Sequence, residues 1–483
     1  MEPAHNAHFL RMAEALKPVL KSTPSPPLRV ITIERDESAL LGWKAVDAGS
    51  LEDVKCLKPG ESCILDFGGH RAGYFSFDLV DVPYGMEPAD APARLKLVFG
   101  EVLNDVAESF EPYEGWLSKS WLPEEVINVD YLPEHVAMPR RDAFRYVKIT
   151  VVSTSLRFAV KLENCLATAV TSAPLENPAP LIFPAKLNLS TPDEALLQKI
   201  DTVAMETLRN CMQTVYEDGP RRDMRLWIGD LRLQALSSYC TFKDFNLVKR
   251  CLYLFAAMPY NDEGLLCACV YEKPKPRFGG NSIVDYSILY SVTLLDYVKA
   301  SQDFDTGREL FHIALKQFEI HLRNLSAATY LYAVPEQTDG GSWHFIDWQE
   351  KLDRTTAIHC VLVFGLKAIS ELAALLALPP PTLATPAFAV KESSVDDLVE
   401  KLTASARSAL FDPEKGLFIS GPERQVSWAS NAWAVIAGIP ESREQGAKAL
   451  RVAYGDQETV TATTPYLHHY VSHPLSTSYW YLG

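Results

Sequence analysis

Apolar and polar residues alternate along the first third of the chain, and the spacing then changes to that of helices. Phe75, Phe77 and Leu79 alternate with Ser76 and Asp78; Leu95, Leu97 and Phe99 with Lys96 and Val98; Val147, Ile149 and Val151 with Lys148 and Thr150. Strands apolar on one face and separated by Gly and Pro turns predict an antiparallel β-sandwich over residues 28–175. Ahead of it, Phe9, Leu10, Ala13, Leu16 and Leu20 predict a short amphipathic helix within residues 1–27, followed by a break at Pro24, Pro26 and Pro27. Five prolines between Pro174 and Pro192 mark a linker, assigned to residues 176–192.

That linker runs into a helix start, with Thr191 as N-cap, Pro192 at the first helical position and Glu194 completing a capping box. Leu196, Leu197, Ile200, Val203, Leu208, Cys211 and Val215 then mark one apolar face, which predicts a helix ending just before Asp218. Residues 193–483 read as helical from there on. Leu310, Phe311, Ala314, Leu315 and Phe318 form one stripe, Ile358, Val361, Leu362, Leu366 and Ile369 another, and the run from Pro379 through Pro386 is a loop. Periodicity permits an α/α barrel or an irregular helical bundle equally.

Composition narrows the function classes. A chain of 483 residues suggests two domains or three, and 47% hydrophobic with 22% charged residues is ordinary for a globular protein. A net charge of −15, from 61 acidic and 46 basic residues, argues against nucleic-acid and anionic-membrane partners and suits a neutral small-molecule substrate. No run of eighteen apolar residues and no basic-then-apolar leader is present, so a cytoplasmic protein is expected. Nine cysteines at irregular spacings fit buried thiols better than a disulfide framework, and Cys267-x-Cys269 alone is a poor zinc signal. Neither metal nor cofactor is expected.

The chemistry concentrates in Asp218-Gly-Pro-Arg-Arg-Asp-Met-Arg-Leu-Trp-Ile-Gly-Asp230, three carboxylates, three arginines and a tryptophan in thirteen residues after a helix. Paired carboxylates supply general acid and base, arginines and further carboxylates bind hydroxyls, and an indole face stacks on a pyranose ring. A solvated turn laced by salt bridges is the alternative at this point.

The order of residues resembles the acidic signature of the α-L-rhamnosidases, glycoside hydrolase family 78, through Asp218, Gly219, Pro220, Asp223, Trp227, Gly229 and Asp230. Ser342-Trp343-His344-Phe345-Ile346-Asp347-Trp348 resembles the family's later Asp-Trp element, and Thr464-Pro465-Tyr466-Leu467-His468-His469-Tyr470 a helix start near its C-terminal end. The resemblance implies an N-terminal β-sandwich, an α/α six-hairpin barrel and inverting acid/base hydrolysis of terminal α-L-rhamnosides. It makes Asp223, where the family often has Glu, the general acid. Asp218, Arg222 and Asp230 become hydroxyl-binding residues, joined by Asp347 and Asp285. Trp227, Trp343 and Trp348 become a stacking wall, and His468 or His469 a pocket residue. Read from the residues alone, Asp223 can equally be an ion-pair partner of Arg222 or Arg225, Asp285 a helix cap, and His468 a helix-surface residue.

One departure stands against this pattern. The family places its base, a Glu in a Trp-Glu context, some tens of residues beyond the Thr-Pro-Tyr element, whereas here no Asp or Glu follows Glu458 and Pro474 is expected to break the helix. The expectation is thus an incomplete barrel lacking the segment with the base, with hydrolysis in doubt and exposed apolar helix faces that leave a homodimer open. The alternative is a non-hydrolytic glycosidase-fold protein that binds or rearranges a small natural product. A purely structural interaction module is the third reading.

Overall fold

The computed structural model describes residues 6–182, 190–333, 342–384 and 393–474. The chain divides into two compact units, residues 18–224 and residues 225–483 together with 1–17.

Nine antiparallel strands build the first unit: β1 (Lys21–Ser25), β2 (Arg29–Arg35), β3 (Trp43–Asp47), β4 (Ser62–Pro83), β5 (Ala93–Gly100), β6 (Glu124–Val129), β7 (Glu134–Ala137), β8 (Asp142–Ser153) and β9 (Phe158–Thr171). The main path runs β1-β9-β4-β8-β5-β6, with β2 and β7 paired to β4 and β3 to β2. The long β4 shifts register against β8 between Asp66 and Arg71, so its two halves serve different parts of the sheet. Phe75 on β4 and Phe99 on β5, strands not bonded to each other, meet at 6.1 Å across one core. Phe75, Phe77, Leu79, Leu95, Leu97, Phe99, Val147, Ile149 and Val151 are all buried there, while Val98 packs in a second cluster with Ile31, Val106 and Tyr146.

The expected break after the first helix instead contains β1. Pro24 is accommodated because β1 is a sheet edge, paired only with β9, where a missing amide costs no ladder bond. Two helices complete this unit, α2 (Leu103–Ala107) and α3 (Thr191–Cys211). The cap of α3 is Ser190, one residue before the expected Thr191; its hydroxyl accepts from the Asp193 amide at 3.3 Å. The helix also stops at Cys211 rather than just before Asp218, because the chain turns back on itself in a Met212–Tyr216 bridge. Residues 183–189 of the assigned linker lie outside the described residues, as do 385 and 386 of the proline-rich loop.

The second unit is helical. Its α1 (Ala7–Ala15) packs on α5 (Phe245–Ala257), with Arg250 donating to the Ala13 carbonyl and paired to Glu14 and Glu272. The others are α4 (Ile228–Cys240), α6 (Val284–Ser301), α7 (Phe304–His321), α8 (Thr355–Leu375), α9 (Val395–Leu410), α10 (Trp428–Ile436), α11 (Arg443–Gly455) and α12 (Pro465–Pro474). Each of α4, α6, α8, α10 and α12 contacts the next of that series, while α7, α9 and α11 pack on their chain neighbours α6, α8 and α10. That two-layer arrangement of hairpins is the α/α architecture expected. Side-chain caps at Asp244, Asp303, Ser394, Ser427 and Ser442 start five of these helices. By length and composition α8 is apolar enough to cross a membrane, and its burial among α6, α9 and α10 accounts for that apolarity. All nine cysteines are free thiols, and no metal-holding cluster occurs among the described residues.

Candidate active site

The acidic motif crosses the boundary between the units at Met224 and Arg225, so its two parts are built differently. Asp218 through Met224 form a tight loop in the β-rich unit. The Asp223 amide donates to Asp218 Oδ2 at 3.3 Å, and the Met224 amide to the Gly219 carbonyl at 3.1 Å. Arg221 anchors this loop, reaching Asp105 with both terminal nitrogens at 2.7 and 3.1 Å and Glu101 at 3.2 Å. Buried Glu217, just before the loop, is held by Arg141 at 2.6 Å. Arg222 is exposed and its Nε lies 3.3 Å from Asp223 Oδ1, with Asp223 only half-buried. The ion pair weighed as an alternative therefore exists, yet so exposed a pair is weak and open to exchange. Asp218, Arg222 and Asp223 are thus brought together.

Beyond the boundary, Arg225 lies over the Tyr271 ring at 4.1 Å. Leu226 and Trp227 form β10, paired with β11 (Cys269–Tyr271), which in turn pairs with β12 (Arg277–Phe278). Half-buried Asp230 stands in the first turn of α4. Gly229 is required here, because a Cβ would overlap the Tyr286 ring. Trp227 meets that ring edge-on at 6.5 Å.

Two short parallel strands, β13 (Ser282–Ile283) and β14 (Ser342–Trp343), set the start of α6 beside the Asp-Trp element. Asp285, fully buried in the first turn of α6, accepts from the Phe345 and Ile346 amides at 2.9 and 3.1 Å. Arg354 ties the same loop from its carbonyl side, donating to Phe345 and Asp347 carbonyls at 2.8 Å each. Ile346 can then hold its left-handed φ of 52°. Burial pushes the Asp285 carboxyl up to about 6, against the pull of those two amides.

The result is an aromatic wall. Tyr286 and Phe345 centroids lie 5.6 Å apart, Phe345 and Trp348 5.1 Å, Trp343 and Trp348 5.7 Å, and Phe345 and Tyr466 5.5 Å. Trp348 is its open end, 65% exposed. Among the described residues, two polar atoms on or beside the wall, Trp227 Nε1 and His344 Nε2, are buried without a hydrogen-bond partner. Burial, with Arg354 nearby, brings His344 down to about 4, so its imidazole is neutral near pH 7.

Two expected members lie differently. Asp347 is fully buried and does not offer its carboxylate to a ligand: Oδ2 accepts from the Thr463 amide and hydroxyl at 2.8 and 3.0 Å, Oδ1 from those of Thr464 at 3.1 and 2.5 Å. Four donors use all four lone-pair sites, so Asp347 fixes the start of α12 and with it Tyr466. His468 is exposed and set edge-on to Trp428 at 6.0 Å, with no ring contact to the wall; its neighbour His469 turns to Tyr470. Sequence reasoning gave no role to Tyr286, Phe345, Tyr466 or Arg354. The first three stand inside or next to the quoted blocks, but an aromatic in a loop has no periodicity that would mark it.

Residues 27–169 match the N-terminal domain model of the family 78 α-rhamnosidases. A rhamnosidase from Klebsiella oxytoca, solved with rhamnose bound, is 36% identical over 98% of this chain and 87% of its own, at a TM-score of 0.87. A family 78 rhamnosidase of Bacillus sp. GL1 is 18% identical, over 86% of this chain and 39% of that one, at 0.64. The Streptomyces avermitilis α-L-rhamnosidase complexed with L-rhamnose is 12% identical, over 91% and 35%, at 0.58; at such identities the likeness is one of fold. No curated protein matches the chain.

Proposed function

The chain belongs to the α-rhamnosidases of glycoside hydrolase family 78, and from that premise we propose that it binds the terminal α-L-rhamnosyl group of a glycoside and cleaves it by inverting acid/base chemistry. The observation carrying this reading is the 36% identity, over 98% of the chain, to a rhamnosidase solved with rhamnose in place. Asp223 is the general acid: it is half-buried beside Arg222, on a loop that Arg221 anchors through Asp105. Asp218, Arg222 and Asp230 hold the sugar hydroxyls, and Trp227, Trp343 and Trp348 face its ring and methyl group. Asp285 and Asp347 act one step back, positioning the aromatic loop and α12 through backbone donors. A water-activating carboxylate must stand about 6.5–9.5 Å from the acid in inverting enzymes.

The second reading is a glycosidase-fold protein that binds or rearranges a small natural product without hydrolysis. Calorimetric titration with L-rhamnose and an assay with an aryl α-L-rhamnoside separate the cases. Binding with turnover supports the first reading and binding without turnover the second. Absence of both defeats the sugar site.

A further inference from the structure

The two adjacent arginines of the acidic loop divide. Arg222 stays beside Asp223, whereas Arg221 turns back onto its own β-rich unit and ends a chain of hydrogen bonds to which the sugar-binding reading gives no part. Its guanidinium meets the Asp105 carboxylate fork to fork, Nη1 on Oδ2 at 2.7 Å and Nη2 on Oδ1 at 3.1 Å, and Nη1 also reaches Glu101 Oε2 at 3.2 Å. Asp105 is itself fixed. Its Oδ2 accepts from the Glu101 amide at 2.9 Å, and α2 lies so close to the end of β5 that a Cβ on Gly100 would come within 2.9 Å of Val106. Glu101 turns its other oxygen to His70 Nε2, at 2.7 Å. Asn210 of α3 orients that ring, its amide nitrogen lying 2.9 Å from His70 Nδ1 and 3.4 Å from the His70 carbonyl. A carbonyl only accepts, so the amide nitrogen donates, Nδ1 accepts and Nε2 is left to donate to Glu101. Against its burial, His70 and Arg221 hold the Glu101 carboxyl below its ordinary range.

We propose that Asp105, Glu101 and His70 act through Arg221 as positioning residues that hold the general acid Asp223 in place, an inference that rests on the rhamnosidase reading above. The bonds from the Asp223 amide to Asp218 and from the Met224 amide to the Gly219 carbonyl fold the loop on itself without fixing it against the sheet. Met224, directly after the acid, holds a left-handed φ of 60°, which a residue with a side chain keeps where its surroundings impose it. The Arg221 fork supplies that restraint two residues before the acid, because a planar bidentate pair fixes direction as well as distance. The two ends of the loop have separate anchors. Asp218 follows Glu217, which Arg141 holds at 2.6 Å, so the sugar-binding end does not hang on Arg221. The acid end does. A general acid must lie within hydrogen-bonding reach of the leaving oxygen, and a displacement of about 1 Å costs on the order of 100-fold in rate.

Arg221→Lys keeps the charge and removes the fork, and Asp105→Asn keeps the shape and removes the ion pair. In the full chain, with folding checked by circular dichroism, each should lower kcat on an aryl α-L-rhamnoside by roughly 10–100-fold. KM and the calorimetric rhamnose dissociation constant should stay within about 3-fold of the parent, a split that a general loss of structure would not produce. Because Arg221 acts through Asp223, adding Arg221→Lys to Asp223→Asn should lower kcat no further. Amide exchange read by mass spectrometry follows the loop without turnover, and residues 219–224 should exchange about 10-fold or more faster in Arg221→Lys. Three results overturn the proposal: kcat unchanged in both single variants, losses from Arg221→Lys and Asp223→Asn that add in full, or loop exchange equal to that of the parent. A parent that binds rhamnose without turning over a rhamnoside defeats the hydrolytic reading instead, and the exchange result then decides by itself whether this network sets the place of Asp223.

Discussion

Asp218 and Asp223, in the β-rich unit, differ from Asp285 and Asp347, in the helical unit, in a way that residue type cannot show. The first two are half-buried on a loop held by the arginine next door. The second two are fully buried, with their carboxylates on backbone amides and threonine hydroxyls. A carboxylate whose lone pairs are filled by its own chain stabilises a loop. Asp218 and Asp223 are only half-buried, and Asp223 pairs with exposed Arg222 at 3.3 Å, a weaker kind of hold. All four were expected in a sugar site, and they differ in burial and in what holds them.

Substitutions can break that contrast, the largest effect being on turnover. Asp223→Asn should lower aryl rhamnoside hydrolysis by about 10²–10⁴-fold while leaving rhamnose affinity and melting temperature nearly unchanged, because a general acid acts on the barrier and little on the ground state. Equal turnover in the variant would remove Asp223 from the mechanism. Asp347→Ala should do the opposite, costing about 3–5 kcal/mol of unfolding free energy by stranding four donors at the start of α12. If urea denaturation finds the variant as stable as the parent but calorimetry finds rhamnose binding lost, Asp347 belongs with the sugar-binding set and the contrast fails.

The pH dependence of stability sharpens the comparison at Asp285. Its folded carboxyl titrates near 6 against an ordinary value of 3.8, so between those pH values the folded state holds the proton more tightly than the unfolded chain. Stability from this group is greatest below pH 4 and falls as pH rises to 6, by about 3 kcal/mol in all. Asp285→Asn should flatten that portion of the stability curve relative to the parent. Parallel curves for the two proteins would show that burial does not govern this group. Asp218→Ala and Asp230→Ala should each weaken rhamnose binding by about 1–3 kcal/mol, through donors left unpaired, with unchanged folding. Smallest of all, Arg222→Ala should alter unfolding free energy by less than about 0.5 kcal/mol, as an exposed pair does; a larger loss would mean the loop depends on it as it does on Arg221.

Much of this was legible in the chain. Strict alternation at Phe75–Leu79 and Val147–Val151 required strands with one buried face, and the stripes at Leu310–Phe318 and Ile358–Ile369 required buried helices, since a side chain's direction follows from backbone period. The motif from Asp218 to Asp230 was legible because its residues are neighbours in sequence. Less local features were not. Periodicity marked a face of α3 as apolar without reporting how much of it is buried: Leu208 and Cys211 are, while Leu196, Ile200 and Val203 are exposed. His468 and His469 could not be told apart, one residue being about 100° of helix rotation.

The sequence by itself therefore determined the order of β-rich and helical regions, the acidic loop and the family to which these belong, all of which are written in short-range spacing. Tertiary structure alone decided which carboxylates are buried on distant backbone donors. Asp285 finds the Phe345 amide sixty residues on, and Asp347 the threonines some 116 residues on, so whether those lone pairs are used depends on how β13, β14 and α12 come together. Electrostatic and hydrogen-bonding roles fall off within a few ångströms, and distances of that kind between remote residues exist only once the helices have packed.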